Sequence, residues 1–146
     1  MLEQSLIFHC SPTLAGIKTG SLFLYRFAST DDLLTELHDL NHKLSGKGIH
    51  IEALHIKNLT ALILAYRPKR LDADLKQKGV FTFLKQYGYK RADSEYAISG
   101  LKERFALQTS FPHEIGLFLG YPLTDVIGFI WDQRLWLSSS KREILA

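Results

Sequence analysis

Apolar positions along the chain fall into two kinds of pattern, and their order predicts the architecture. Ser21–Phe27 (SLFLYRF) is aromatic and apolar enough for a strand. After Thr30 or Asp31, either of which can cap, Leu33, Leu37, Leu40 and Leu44 recur at three- and four-residue spacing. They predict a helix to about Ser45, ended by Gly46. Ile49–Lys57 and Thr60–Tyr66 read as two strands about a short turn at Asn58. The second, TALILAY, is apolar on both faces, so it predicts a central strand covered on both sides.

Beyond Tyr66 the period becomes helical. Leu71–Lys78 closes at Gly79 and Val80–Tyr87 at Gly88. A third helix, capped by Asp93 or Ser94, turns Ala97, Ile98, Leu101 and Phe105 inward and Lys102 and Glu103 outward. Two short helices, Pro112–Leu119 and Thr124–Ile130, follow. The fold class is α+β: a small sheet of about three strands, partly antiparallel, packed by helices. The helical second half ends in a helix-turn-helix-like hairpin.

A length of 146 residues without repeats or a Pro/Gly-rich linker predicts a single α+β domain over 1–130 and an atypical or shortened C-terminal tail over 131–146. Hydrophobic residues at 46% and charged residues at 23% exclude wholesale disorder. The single cysteine excludes an internal disulfide framework and suits a reducing compartment. No apolar run approaches the ~20 residues of a membrane span. The start, MLEQSLIFHC, has an acid at Glu3 and no basic opening, so it does not read as a secretory signal. A soluble cytoplasmic protein without a membrane partner is expected.

Charge changes this picture in one place. Residues 67–91 carry eight basic side chains against Asp72 and Asp74, and the segments on either side are slightly acidic. Phe81, Phe83, Tyr87 and Tyr89 are interleaved with the cations, a mixture that can track phosphates and stack on bases. The plainer reading is a solvated helix pair with its aromatics turned inward. Arg67-Pro68-Lys69-Arg70, at a strand-to-helix junction, is either an anion site or a solvated turn.

Cys10 precedes Ser11 and Pro12. If a helix runs from Pro12 toward Lys18, the thiol lies at its positive end and becomes acidic and reactive; the alternative is a small buried hydrophobe. His38 and His42 share a helix face but lack a third metal ligand fixed by spacing. In the strand that follows, simple alternation puts His55 opposite to His50 and Glu52.

Phe111–Ile130 (FPHEIGLFLGYPLTDVIGFI) has helix-turn-helix register, with Ile115-Gly116 as the close-packed pair and Val126 and Ile130 facing inward. Its second helix offers no Arg, Lys, Asn or Gln for a major groove, and Asp125 repels phosphate. It reads as a buried hairpin, and nucleic acid is not the expected partner. His113 and Glu114 open this hairpin behind Pro112, either as a pair lining a pocket or with Glu114 complementing the helix dipole.

CSPTLAGIKTGSLF, AYRPKRLDADL and the hairpin segment together resemble a family of small bacterial proteins, the domain of unknown function numbered 3793. The resemblance covers about residues 1–130 and implies a bacterial cytoplasmic protein, loosely associated with flavodoxin-type redox carriers and iron handling. Cys10, Lys18, Arg67, His113, Glu114 and Gly120 fall within the matching segments. The tail WDQRLWLSSSKREILA departs from the pattern. An uncovered sheet edge beside Trp131 and Trp136 would make it a surface for a homo-oligomer or protein partner.

These features converge on a small ligand-, cofactor- or metal-binding accessory protein, linked by the resemblance to redox or iron metabolism, rather than an enzyme. Its small anionic ligand or cofactor would lie between Cys10, Lys18, Arg67, Lys69, His113 and Glu114, with the metal and cofactor unspecified. The alternatives are a nucleic-acid-binding helix-turn-helix-type protein and a thiol-dependent enzyme using Cys10 and His113. Both the leading reading and the last require the sulfur and the imidazole to share one hollow.

Overall fold

The computed structural model describes residues 1–107 and 111–130. Its elements are α1 (Leu2–Leu14), β1 (Gly20–Arg26), α2 (Thr30–Leu44), β2 (His50–Lys57), β3 (Thr60–Tyr66), α3 (Pro68–Leu75), α4 (Val80–Lys85), α5 (Ser94–Leu107) and α6 (Ile115–Phe118). A helical segment, 123–130, follows. The tail 131–146, with its expected open edge, lies outside the described residues.

The sheet has the order β1-β3-β2, and both pairings are antiparallel. TALILAY is thus the central strand, and alternation splits its side chains between two cores. Ala61, Ile63 and Ala65 pack with Leu2, Leu6 and Cys10 of α1 and with Leu33, Leu37 and Leu40 of α2. Leu64 and Tyr66 pack with Leu71, Leu84, Leu101, Phe118 and Val126 from the helical second half. The expected α+β layout is present.

The main departure is at the beginning. The helix starts at Leu2, not Pro12, and carries Leu2, Leu6, Cys10 and Thr13 as a buried stripe. Cys10 leaves helical geometry (φ −118°, ψ 19°) just before Pro12, which has no N–H to continue the ladder. The thiol therefore sits at a kink within a helix rather than at a helix start. Glu36 secures the new N-terminus by accepting from the Leu2 N–H (2.9 Å) and from the Tyr25 hydroxyl.

Smaller shifts have local causes. Ser29, rather than Thr30 or Asp31, caps α2 through the Asp32 N–H. A 3₁₀ turn, Ser45–Lys47, carries the chain past Gly46 to Gly48, which takes the left-handed conformation. Asn58 and Leu59 both have positive φ (52° and 60°), the signature of a tight two-residue hairpin turn. On the side of β2 away from β3, the Asn41 amide both accepts from the Ile51 N–H (2.7 Å) and donates to its carbonyl (2.9 Å), as a neighbouring strand would.

Candidate functional site

The hairpin that ends the described chain forms a groove of about 600 Å³. Gly116 lets its two arms close, because a Cβ there would stand 2.9 Å from Val126 Cγ2. Val126 and Ile130 are buried beneath, as the register predicts. The groove is walled by the rings of Phe111, Tyr121 and Phe129, and its lining includes His113 and Asp125 as polar groups. Phe111 stands edge-on to Phe105, which stacks on His55 of β2, so the groove wall continues down to the sheet.

The other end of the wall is tied to the α1–β1 loop. Gly120 (φ 95°) approaches Thr19 so closely that a Cβ would stand 2.9 Å from its hydroxyl. Thr19 donates to Asp74 (2.5 Å), and Lys18 Nζ lies 5.3 Å from the Tyr121 ring centre.

Of the six predicted site residues, only His113 lines this groove, with Lys18 against its rim. Cys10 belongs to the core on the α1/α2 face of the sheet, whereas Ile115 and Val126 beside His113 belong to the core on the other face. The sheet separates thiol from imidazole. Cys10 is fully buried, and that burial pushes its thiol up to about 11, opposite to the activated cysteine expected at a helix start. The thiol-enzyme geometry is not formed.

The Arg67–Lys69 anion site is not formed either. The Arg67 guanidinium donates to the carbonyls of Thr13 (2.8 Å), Leu14 (2.9 Å) and Lys47 (3.3 Å), and its backbone N–H to Thr19. Arg70 donates to Gly16 and Ile17. Arg67 thereby satisfies carbonyls at the end of α1, and Arg70 those of the loop that follows it. Lys69 is exposed on α3.

His113 and Glu114 diverge. Glu114 turns into the core, where it is fully buried, accepts from the Tyr89 hydroxyl (3.1 Å) and forms an ion pair with Arg104 of α5. Arg104 also lies over the Tyr87 ring at 4.7 Å. Burial and the Glu114 carboxylate together push the Tyr89 hydroxyl well above its ordinary value. Gly100 makes room for Tyr89, since a Cβ would meet its ring at 3.0 Å. Sequence reasoning missed Arg104 and Tyr89; the available signal was an acid between apolar runs, which must find a cation once buried. In the first turn of the hairpin, the N–H groups of Ile115 and Leu117 bond to the Pro112 and Glu114 carbonyls.

A bulge in β2 overturns another expectation. Register shifts between Ala53 and His55, so His50, Glu52 and His55 pair with Tyr66, Leu64 and Leu62 and share one face. Glu52 contacts His50 (3.0 Å) and accepts from Lys102 of α5 (2.6 Å), bonds that hold its carboxyl below the usual range despite partial burial. Among the described residues, no three His, Cys, Asp or Glu side chains form a metal-binding group; His38 and His42 are exposed.

The basic middle segment follows its plainer reading. Phe83 and Tyr89 are buried, Lys85 covers the Phe81 ring and Arg91 the Tyr96 ring. The rings needed for base stacking are turned inward or carry the chain's own cations. No helix among the described residues is long and apolar enough to cross a membrane.

The family described as "Protein of unknown function (DUF3793)" matches residues 6–140, and the chain belongs to it. The match continues past 130 into the segment that departs from the pattern read in the sequence. No curated protein and no solved structure matches the chain.

Proposed function

We propose that the protein is a small-molecule-binding accessory protein whose ligand occupies the hairpin groove. The observation that carries this reading is an apolar cleft of about 600 Å³, within the range of ligand sites, with His113, Tyr121 and Asp125 placed on its wall. Aromatic walls supply apolar contact, and the imidazole, hydroxyl and carboxylate fix orientation. The sheet and the buried Arg104–Glu114 pair hold the site from behind. Cys10, Arg67 and Glu114 are structural in this reading, Lys69 is a solvent-facing cation, and no metal is invoked. A cytoplasmic setting is part of the proposal, supported by the single, sealed thiol.

Native mass spectrometry with an absorption spectrum, on protein purified without oxygen, tests it. The expected result is a bound small molecule that is lost in Phe129→Ala and His113→Ala at unchanged melting temperature. Retention in both variants, or release accompanied by unfolding, removes the groove as the site.

A further inference from the structure

We propose that the groove recognises an organic cation: an ammonium or methylated ammonium group joined to an apolar body. This rests on the groove being a ligand site and names the chemistry it selects. Three aromatic rings on its wall stay about half exposed, Phe111 at 51%, Tyr121 at 50% and Phe129 at 56%. The electron-rich faces of such rings attract ammonium groups, most strongly where water is excluded. Among the described residues, the same wall carries the Asp125 carboxylate and no lysine or arginine.

The chain itself shows that one of these rings accepts a cation. Lys18 places an alkylammonium 5.3 Å from the centre of the Tyr121 ring. Among the described residues an anion would find His113 on the groove wall and Lys18, already engaged with the Tyr121 ring, at its rim, since Arg67 and Arg70 are committed to backbone carbonyls and Arg104 to Glu114. Charge complementarity therefore reverses the expectation of an anionic ligand. Lys18 competes with the ligand for Tyr121 and repels it, whereas Asp125 attracts it.

Titration of the full chain, followed by NMR, with 4-phenylbutylamine, 4-phenylbutanol and 4-phenylbutyrate separates the alternatives. These probes share one apolar body and differ in charge. The amine is expected to bind about tenfold more tightly than the butyrate, the ratio that a 1.4 kcal/mol preference gives. Asp125→Asn should weaken amine binding several-fold and Lys18→Met should strengthen it; an anion site requires both signs reversed. Equal binding of amine and alcohol, or tighter binding of butyrate, overturns the cation inference while leaving a ligand groove. If no probe moves the Phe111, Tyr121 and Phe129 resonances, the groove reading itself fails, whether a second copy or residues 131–146 cover that wall.

Discussion

The two faces of the sheet are built from the same kind of strand positions, yet they solve burial differently. Against α1 and α2 the core is aliphatic and aromatic, and its one reactive group, Cys10, is sealed and kept protonated. Against the later helices, the core encloses a charged pair and a tyrosine hydroxyl, and opens beside them into an aromatic groove. The first face is closed by apolar packing with neutral polar links, the Thr13–Ser21 hydroxyl pair and the Asn41 amide on Ile51, and among the described residues buries no ion pair. The second requires specific polar partners, and a face organised in that way can hold a recessed site in fixed geometry.

The sharpest way to break this contrast is Arg104→Ala. It leaves Glu114 charged and buried without its cation, and should cost about 3–5 kcal/mol in denaturant unfolding. The paired replacement of Arg104→Met with Glu114→Leu should recover most of that loss, because two apolar groups need no partner. A single variant that unfolds like the wild type would mean the second face is no more polar than the first.

Next in size is Asn41→Ala on the first face. It removes both hydrogen bonds to the Ile51 backbone at the sheet edge, and a loss of about 1–3 kcal/mol is expected, read as a lower melting temperature. A negligible change would show that water replaces the amide.

Alkaline titration separates the thiol from the tyrosines. The native Cys10 thiol is raised from 9.0 to about 11, so the folded chain holds this proton more tightly than the unfolded chain. Its contribution is complete below pH 9 and is lost as pH rises through 11. Tyr25 on the first face and Tyr66 and Tyr89 on the second, all raised from 10.0, add losses only above pH 10. Cys10→Ala should flatten the decline between pH 9 and 10 and reduce, without removing, the one above pH 10. An unchanged curve would place the thiol in water.

The smallest effect concerns the hairpin turn. Leu59 is an exposed L-residue held at φ 60°, a conformation that glycine adopts without the Cβ penalty. Leu59→Gly should therefore stabilise by roughly 0.5–1 kcal/mol, after glycine's greater unfolded entropy is discounted. Destabilisation instead would show that the leucine side chain contributes packing worth more than the backbone relief.

Much of the scaffold was legible because it is local. TALILAY announced a doubly covered strand, the Leu33–Leu37–Leu40 stripe a helix, and Gly116 with Val126 a closed hairpin, each from spacing on one element. The N-terminal helix was legible too, in the four-residue spacing of Leu2, Leu6 and Cys10, but the Ser-Pro after Cys10 also fits a helix start. The bulge that brings His55 round to Glu52 left no mark in the alternation, because one extra residue inverts facing without altering composition.

By itself, then, the amino-acid order determined the elements, the double cover of the central strand and the solvent-facing cations, all set by side chains within a few positions of one another. Tertiary structure alone decided which charges are spent and which face a ligand. Arg67 meets carbonyls more than fifty residues away, and Glu114 meets Arg104 and Tyr89 only once helices close over the sheet. Cys10 and His113 were parted for the same reason: alternation along β3 sends neighbouring residues to opposite cores, and the side on which each packed segment docks is settled only when the whole sheet is covered.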